Sequence, residues 1–311
     1  MGQRRRHSLE PVATAALTVT APGQVVRSLI HGQSVQFFIA NPRDTIQKVH
    51  ATGQFYEPEE LEIIRQWCPP GAVFLDIGSN VGNHAIYALK FLHAARVILC
   101  EPNPAAIDIL LTNLGLNGLL DRCDLSKLGH GLSDRNEGGM VIEASRRNLG
   151  GGRIKEADDA APGSITLRRG DELLADITPT FVKIDVEGME MSVLSGLTEL
   201  VERSRPIFFV EVDNVNRAAF LQWVQDNGYA TRARFRRYRA NENFLIVPQR
   251  PRSPPAEDAP TPDAARTEAP PAEAPNPDSP NQTPAGSGPA SPNPGPAATA
   301  KASGGTRAPK T

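Results

Sequence analysis

The chain has 311 residues and a formal net charge of −2 at pH 7, from 33 basic and 35 acidic side chains. This balance gives no overall electric field that would favour nucleic acid or an anionic membrane, so neither is predicted as a partner. The three cysteines, Cys68, Cys100 and Cys123, include no C-x-x-C pair, which excludes a zinc or redox site of that type. No apolar run is long enough to span a membrane, and we expect a protein of the reducing cytoplasm.

Composition predicts one folded domain between two flanking segments. Residues 249–311 hold more than half of the 28 prolines and almost no large apolar side chains. Such a segment buries too little apolar surface to offset its ordering entropy, so we predict a disordered, Pro/Ala-rich tail that is free to bind protein partners. Residues 1–34 are predicted to be a partly disordered N-terminal segment. The folded domain is expected at 35–248, with a lead-in at 35–70.

Apolar runs and helical periodicity predict alternating strands and helices within this domain. Strands are predicted at 35–39, 72–77, 96–100, 125–132, 181–185, 207–212, 229–237 and 244–247. Helices are predicted at 58–67, 83–92, 104–114, 171–176, 190–203 and 216–227. This alternation predicts a Rossmann-like α/β fold, with a central, mostly parallel sheet of seven strands and helices on both faces.

A polar, glycine-rich stretch at 136–169 interrupts the alternation. It is predicted to form a hairpin or flap. Long irregular insertions in compact domains are often functional, so this flap is expected to cover or select the substrate. The alternative is a surface hairpin without a substrate contact.

The segment from Asp76 to Gly82, D-I-G-S-N-V-G, lies between a predicted strand and helix, where open parallel sheets bind their ligands. Gly78 and Gly82 allow the backbone to turn sharply and to approach a bound molecule. Glu101 ends the next strand, where a carboxylate can accept hydrogen bonds from both ribose hydroxyls of a nucleoside. Acidic residues at the ends of two successive strands therefore predict a nucleoside-binding edge.

The type of loop separates two classes of cofactor. The G-x-G-x-x-G pattern, whose backbone N–H groups bind a pyrophosphate, is absent, which disfavours a nicotinamide-dependent oxidoreductase. Asp76 directly precedes the turn, where its charge suits the ammonium and sulfonium groups of S-adenosylmethionine and would repel a pyrophosphate. The alternative is that Asp76 caps the turn and that Glu101 is an exposed strand end. We favour S-adenosylmethionine as the cofactor.

A second acidic cluster follows the strand that contains Lys183. Asp185 and Glu187 are two residues apart on extended backbone, so both can face the cleft beside the cofactor. Glu211, near the end of the next strand, is a candidate third carboxylate. The alternatives assign Glu190 to the start of a helix and Glu187 to a salt bridge with Lys183.

Together these motifs resemble the FkbM family of methyltransferases. The resemblance covers about residues 35–248, and K-I-D-V-E-G from Lys183 is its most specific part. Further motifs that support it lie at 41–44, 53–57, 76–82, 101–104, 113–117, 131–134, 148–151 and 210–211. Ser79 and Asn83 depart from the usual alanine and aromatic residue of the family and change the polarity of the loop. The resemblance implies a Rossmann-like class I methyltransferase fold and O-methylation of a hydroxyl on a sugar, glycan or natural product.

This function needs a general base for the attacking hydroxyl, and Asp185 and Glu187 are the predicted catalytic residues. His84 and His130 are alternatives. The carboxylates can instead bind a divalent ion that lowers the hydroxyl pKa, but no metal site is predicted. The predicted cofactor-binding residues are Asp76, Gly78, Ser79, Asn80, Gly82, Glu101, Pro102, Asn103 and Leu132.

Three questions stay open at this level. A non-catalytic nucleotide-binding or scaffold protein can have the same fold, although Asp76, Glu101 and Asp185 together disfavour it. Tyr56 and Glu57 either close over the methionyl part of the cofactor or pack in the core. The basic stretch 232–239 either recognises an anionic substrate or forms the solvent face of a strand.

Overall fold

The computed structural model describes residues 22–145, 148–157 and 164–249. Residues 1–21 of the predicted N-terminal segment and the predicted tail from residue 250 lie outside this part of the chain. The described part begins with an antiparallel hairpin of β1 (Gln24–Ile30) and β2 (Gln33–Ile39). β1 lies before the predicted start of the domain and was not predicted. Its Val25 and Leu29 are 51% and 74% exposed, so pairing with β2 rather than burial defines the strand.

The remaining elements follow in chain order. The strands are β3 (Val73–Ile77), β4 (Arg96–Cys100), β5 (Cys123–Asp124), β6 (His130–Ser133), β7 (Glu137–Ser145), β8 (Asn148–Glu156), β9 (Ile165–Arg169), β10 (Phe181–Ile184), β11 (Ile207–Asp213), β12 (Tyr229–Phe235) and β13 (Asn241–Pro248). The helices are α1 (Thr45–His50), α2 (Pro58–Trp67), α3 (Asn83–Phe91), α4 (Pro104–Leu116), α5 (Gly170–Leu173), α6 (Glu190–Ser195), α7 (Thr198–Ser204) and α8 (Arg217–Asp226). None of these described helices is long and apolar enough to cross a membrane.

A seven-stranded sheet forms the centre of the domain, with strand order β12-β13-β11-β10-β3-β4-β5. β13 is antiparallel to both of its neighbours, and the pairings from β11 through β5 are parallel. The mostly parallel sheet of seven strands is therefore confirmed. The chain builds β3, β4 and β5 outward and then returns to β10 on the other side of β3. This reversal creates a switch point at the carboxyl ends of β3 and β10, where α/β proteins bind ligands.

Helices cover both faces of the sheet, as predicted. Phe74 of β3 belongs to an apolar core that includes residues of α2, α3 and α4. Leu75 and Ile77 of the same strand belong to a second core, with residues of α6, α7 and α8. Because neighbouring residues of a strand face opposite sides, each buried strand contributes to both cores and reads as a continuous apolar run.

The predicted strand at 125–132 is wrong. The third parallel strand is β5, which has only two residues, and the Asp124 carboxylate then accepts hydrogen bonds from the backbone N–H and the hydroxyl of Ser126. This turn leads the chain to Gly129, at φ +86°, and into β6, which belongs to a different sheet. Apolar side chains of the turn pack on the core, which explains the strand-like pattern.

The single helix predicted at 190–203 is also wrong, because the chain breaks there into α6 and α7. The Asp171 carboxylate accepts two backbone N–H groups from the first turn of α7 and so begins a new helix. Gly196, between the helices, approaches β6 so closely that an added Cβ would lie 2.0 Å from the Ser133 carbonyl oxygen. The break therefore follows from contacts with distant segments.

The predicted flap is part of a four-stranded sheet, with order β6-β9-β7-β8. β7 and β8 form an antiparallel hairpin, as predicted, whereas β9 was not predicted. The backbone N–H of Leu149 in β8 donates to the Asp44 carboxylate at the start of α1, at 2.9 Å. This contact holds the glycine-rich part of the flap against the lead-in.

Candidate active site

The loop after β3 and the end of β4 form one edge of the site. Gly78, at φ +82°, lets the loop pass so close to β10 that an added Cβ would lie 1.9 Å from the Asp185 carbonyl oxygen. Only glycine is compatible with this approach and with this backbone angle. The loop is thereby placed directly beside the segment that carries the predicted catalytic residues.

Glu101 is buried and connects β4 to this loop. Its Oε2 accepts the backbone N–H of Asn80 at 2.8 Å, and its Oε1 accepts that of Asn103 at 2.9 Å. Each carboxylate oxygen keeps a further lone pair for a ligand hydroxyl. Burial raises the pKa of Glu101 to about 7, while the two backbone hydrogen bonds favour the ionised form. Glu101 is thus held in one orientation at the predicted ribose position.

A first cavity opens between this edge and the flap. Six of the nine predicted cofactor-binding residues line it: Gly78, Asn80, Glu101, Pro102, Asn103 and Leu132. The predicted catalytic residues Asp185 and Glu187 line it as well. Side chains and backbone that the sequence did not assign to the cofactor complete the wall: Ile77, Cys100, His130, Gly131, Ile142, Leu149, Gly150, Gly152, Ile154, Val186 and Met189.

The other three predicted cofactor residues, Asp76, Ser79 and Gly82, are absent from the described lining of this cavity. Ser79 Oγ donates to the Asp76 carbonyl oxygen at 2.7 Å, and an added Cβ at Gly82 would lie 2.7 Å from Leu110. Asp76 is completely buried, and burial raises its pKa to about 6 against the opposing effect of Lys183. These three residues therefore support the conformation of the loop and do not line the described part of the cavity.

Lys183 connects the loop to β10. Its Nζ donates to the Gly78 carbonyl oxygen and to Asp185 Oδ2, both at 3.2 Å, and lies 3.8 Å from Asp76 Oδ1. Burial acts to lower the pKa of Lys183, but the neighbouring Asp185 and Asp76 outweigh it and raise the pKa above its usual value. Lys183 therefore pairs with Asp76 and Asp185. The alternative prediction, a salt bridge between Lys183 and Glu187, is wrong.

The first cavity has the groups that a nucleoside needs. His130 Nδ1 and Asn80 Oδ1 are buried atoms without a hydrogen-bond partner among the described residues, and both residues line the cavity. A buried polar atom costs free energy unless a ligand or water completes its hydrogen bond. Leu132 and Met189 add apolar surface suited to an aromatic base. With Glu101, this set is compatible with the adenosine part of S-adenosylmethionine.

A second cavity lies beside the first and shares part of its wall. The shared residues are Asn80, Gly150, Asp185 and Glu187. The remaining lining residues are Thr45, Ile46, Tyr56, Glu57, Asn148, Glu211, Tyr238, Ala240 and Asn241. The Tyr56 and Tyr238 hydroxyls form a hydrogen bond of 2.5 Å across 182 positions of sequence. Tyr56 and Glu57, whose role the sequence left open, thus face this cavity.

The carboxyl groups of Asp185 and Glu211 lie close to each other, with oxygen atoms within 4.8 Å. Burial raises the pKa of Glu211 far above its usual value, and Asp185 adds to this, because two adjacent carboxylates resist ionising together. Burial also acts to raise the pKa of Asp185, but the positive charge of Lys183 outweighs it and lowers the pKa below its usual value. Asp185 is therefore the ionised member of the pair and Glu211 the protonated one.

Glu187 has a different environment. Its backbone is left-handed, at φ +49°. Burial, followed by the charge of Asp185, raises its pKa to about 7. A carboxyl group with this pKa exchanges its proton near neutral pH, which suits a general base.

His84 is the weaker of the two alternative bases. Its Nε2 lies 3.9 Å from Glu57 Oε2, and His84 is absent from the described lining of both cavities. Burial lowers the pKa of His84 to about 3, so the imidazole is neutral at pH 7. Burial has the opposite effect on the carboxyl group of Glu57 and raises its pKa to about 8. Asp185 and Glu60 add to this rise.

Oxygen atoms of Asp185, Glu187 and Glu211 lie within 4.8 Å of one another, close enough for one divalent cation. No histidine or cysteine joins these three within the part of the chain that is described. The absence of a metal site stays a prediction.

The structure agrees with the structural alternatives given for Glu190 and for the basic stretch 232–239. Glu190 accepts the backbone N–H groups of Gly188 and Asp213 and the side-chain amide of Asn216, so it fixes the start of α6. In the basic stretch, Arg234 and Arg236 form ion pairs with Glu242 on β13. Both side chains are about half exposed, as expected for the solvent face of a strand.

The sequence did not identify two residues that line the second cavity, Tyr238 and Asn241. Tyr238 and Asn241 lie in or after the β12–β13 connection, and no motif distinguishes them. Gly150 and Gly152 were recognisable, because the glycine-rich run in the flap has few packing functions of its own. An added Cβ at Gly150 would lie 2.1 Å from the Asn80 side chain, which shows how closely the flap approaches the loop.

The strand order, with β13 antiparallel beside β11, and a carboxylate-edged cavity at the switch point define a Rossmann-like methyltransferase fold. Residues 76–231 match the family described as methyltransferase FkbM domain. This match spans half of the chain, and the protein belongs to the FkbM methyltransferase family.

Individual relatives are more distant. The chain is 32% identical over 154 residues to the hexuronic acid methyltransferase AglP of Haloferax volcanii, covering 47% of this chain and 58% of that protein. It is 26% identical over 164 residues to the methyltransferase sdnD of Sordaria araneosa, covering 42% of this chain and 62% of that protein. The matches thus span less than two thirds of either relative. The crystal structure of methyltransferase FkbM from Methylobacillus flagellatus superposes with a TM-score of 0.44 at 16% identity, over 65% of this chain and 52% of that one.

Proposed function

We propose that this protein transfers a methyl group from S-adenosylmethionine to a hydroxyl of a sugar, glycan or natural product. The observation that carries the proposal is the wall shared by the two cavities, in which Asp185 and Glu187 stand between a nucleoside-compatible site and a second ligand site. A methyl donor and an acceptor must meet at such a boundary. The name of the Haloferax volcanii relative supports a sugar as the class of acceptor.

In this proposal the first cavity holds the cofactor. Glu101 accepts the ribose hydroxyls, His130 and Asn103 offer polar contacts to the adenine, and Leu132 and Met189 flank its ring. When bound, S-adenosylmethionine supplies an electrophilic methyl group on its sulfonium. The carboxylate of Asp185, fixed by Lys183, provides a negative charge at the end of the cavity where the positive part of the cofactor is expected.

Glu187 is the proposed general base. An alcohol is a weak nucleophile at neutral pH, so a carboxylate that removes its proton as the C–O bond forms accelerates the transfer. Glu187 lines both cavities and has a pKa of about 7, whereas Asp185 has a lowered pKa and accepts a hydrogen bond from Lys183. Asp185 accordingly orients the site, and Glu187 takes the proton.

Calorimetric titration of the full-length protein with S-adenosylmethionine, and separately with NAD, tests the cofactor assignment. We expect micromolar affinity for S-adenosylmethionine and none for NAD. Glu101→Ala should weaken binding at least about tenfold, because a carboxylate hydrogen bond contributes about 1.5–3 kcal/mol. Glu62→Ala, at an exposed glutamate of α2, is the control and should leave the affinity unchanged.

Tighter binding of NAD, or no binding of S-adenosylmethionine, would overturn the proposal. The next measurement is release of S-adenosylhomocysteine during incubation with a panel of sugars, glycans and hydroxylated natural products. Cofactor binding without turnover of any acceptor would favour the non-catalytic scaffold instead.

A further inference from the structure

We propose that the acceptor site of this protein selects by charge: it accepts a hydroxyl on an amino sugar or a neutral sugar and rejects a uronic acid. This inference rests on the proposed function, since it assigns the second cavity to the acceptor. It goes further by naming the class of acceptor from the charges and rings that line this cavity.

Four carboxyl groups from separate parts of the chain face the second cavity. Glu57 precedes α2, Asp185 and Glu187 follow β10, and Glu211 lies on β11. Among the described residues that line the cavity there is no lysine, arginine or histidine. An acceptor therefore meets acidic groups from several directions. At pH 7 Asp185 is ionised and Glu187 partly so, while Glu57 and Glu211 are mostly protonated, and a cationic acceptor would favour their ionisation.

Two basic groups beside the lining residues, Lys183 and Arg237, already have acidic partners. Lys183 pairs with Asp76 and Asp185, at 3.8 Å and 3.2 Å. Arg237 forms ion pairs with Glu59 and Glu60 on α2. These pairs lie within the protein framework, so the cations are engaged before an acceptor arrives.

Two further neighbours leave the acidic character of the cavity in place. Arg153 of β8 pairs with Asp213 at 3.5 Å, and its side chain is 69% exposed to solvent. His84, beside Glu57, is neutral at pH 7 because burial lowers its pKa to about 3.

The titration of the cavity agrees with crowding of like charges. The charge of Asp185 is the second cause, after burial, of the raised pKa values of Glu57 and Glu187. An additional carboxylate on the acceptor would either be repelled or force a further proton into the cavity. An ammonium group would instead be attracted to the same side chains.

The remaining lining suits a sugar ring. Tyr56 and Tyr238 provide aromatic surface on which the C–H face of a pyranose can pack, and a tyrosine face also attracts an ammonium group. Asn148 and Asn241 provide amide groups that both donate and accept hydrogen bonds, as sugar hydroxyls require. The cavity thus combines apolar, neutral polar and acidic groups.

Three methyl glycosides that differ only at C6 test this inference: methyl 6-amino-6-deoxyglucoside, methyl glucoside and methyl glucuronoside. Each is titrated by NMR into full-length protein saturated with S-adenosylhomocysteine. We expect affinity to fall in that order, with the glucuronoside at least about tenfold weaker than the amino sugar. Glu57→Gln should reduce this ratio, and Glu62→Gln, on the exposed side of α2, should leave it unchanged.

A glucuronoside that binds as well as the amino sugar would overturn the inference, and so would the failure of all three to bind at millimolar concentration. Arg146 and Arg147 lie outside the described residues. Glucuronoside binding that is lost in the Arg146→Ala/Arg147→Ala double variant would also overturn it, because these arginines would then supply a cation. A separate titration of the ligand-free protein with S-adenosylmethionine separates the two proposals: normal cofactor binding with the wrong affinity order contradicts this inference alone.

Discussion

Lys183 and its two carboxylate neighbours form a buried ion cluster, and such clusters are sensitive to the loss of one partner. The Nζ atom is the group that neutralises Asp76 and Asp185 and also binds the Gly78 carbonyl oxygen. We predict that Lys183→Met destabilises the protein by about 3–5 kcal/mol, because it leaves buried charge uncompensated. Thermal or urea unfolding measures this change.

Lys127 provides the comparison for Lys183. It pairs with Asp176, whose side chain is 72% exposed, at 3.4 Å. The Lys127 side chain is 13% exposed, but its partner Asp176 stays solvated when the pair is lost, so Lys127→Met should cost less than about 1 kcal/mol. Equal losses for the two variants would contradict the special role given to Lys183.

The proposed base gives a prediction on the pH dependence of the reaction. Glu187 acts in its ionised form, so kcat should rise with pH through about 7 as its proton is lost. Glu187→Gln should lower kcat by about 100-fold or more and remove this rise, since a positioned base contributes at least that factor. A variant that keeps the same pH profile would show that another group is the base.

The elements are packed very closely where α6 meets α7. An added Cβ at Gly196 would lie 2.0 Å from the Ser133 carbonyl oxygen, a backbone atom that cannot rotate away. Gly196→Ala should therefore destabilise the protein by about 1–3 kcal/mol, as other overpacked positions do. Urea denaturation measures the difference in the free energy of unfolding.

Gly115 in α4 is a matched control, because the nearest atom to an added Cβ is 3.7 Å away. Alanine is the better helix former, so Gly115→Ala should be neutral or stabilising by up to about 1 kcal/mol. If both alanine variants were equally stable, the contact between Gly196 and β6 would not determine the break between the helices.

On the scale of the whole molecule, raised carboxyl pKa values change how stability depends on pH. In the unfolded chain, glutamates are ionised at neutral pH, whereas burial raises the pKa of Glu101 and Glu187 to about 7 and that of Glu57 to about 8. The folded state therefore binds more protons than the unfolded state at neutral pH. By linkage, the free energy of unfolding must fall as pH rises toward these pKa values, by up to about 1.4 kcal/mol per pH unit for each extra proton. The contribution of Glu101 and Glu187 ends above about pH 7 and that of Glu57 above about pH 8.

Urea denaturation at several pH values tests this prediction. His50 and His84 have pKa values that burial lowers to about 4 and about 3, so they act in the opposite direction only where unfolded histidines bind protons, below about pH 7. The triple variant Glu57→Gln/Glu101→Gln/Glu187→Gln should lose the part of the slope that ends between about pH 7 and 8, whereas Glu211, whose pKa is raised far above its usual value, keeps its part. Stability that rises with pH between about 7 and 8.5 would contradict the assigned pKa directions.

The local sequence pattern predicted those features that depend on residues close together in the chain. The apolar runs of β3, β4, β10 and β11 were visible because strands buried on both faces are continuously hydrophobic. Glu101, Asp185 and Glu187 were found because each follows such a run, where a parallel sheet gathers its ligands. The sequence by itself thus determined the class of fold, the family resemblance and the edge of the sheet at which the candidate site lies.

Tertiary structure alone decided how those residues are partnered. Lys183 binds Asp76 and Asp185 rather than Glu187, the Tyr56 hydroxyl contacts that of Tyr238 across 182 positions, and a contact with Ser133 accompanies the break at Gly196. Strand and helix periods report which face of an element is buried, but they do not report which distant group lies opposite it. The charge of the second cavity depends on such pairings, because a cation held by carboxylates of the protein attracts a ligand less strongly than an unpaired cation would.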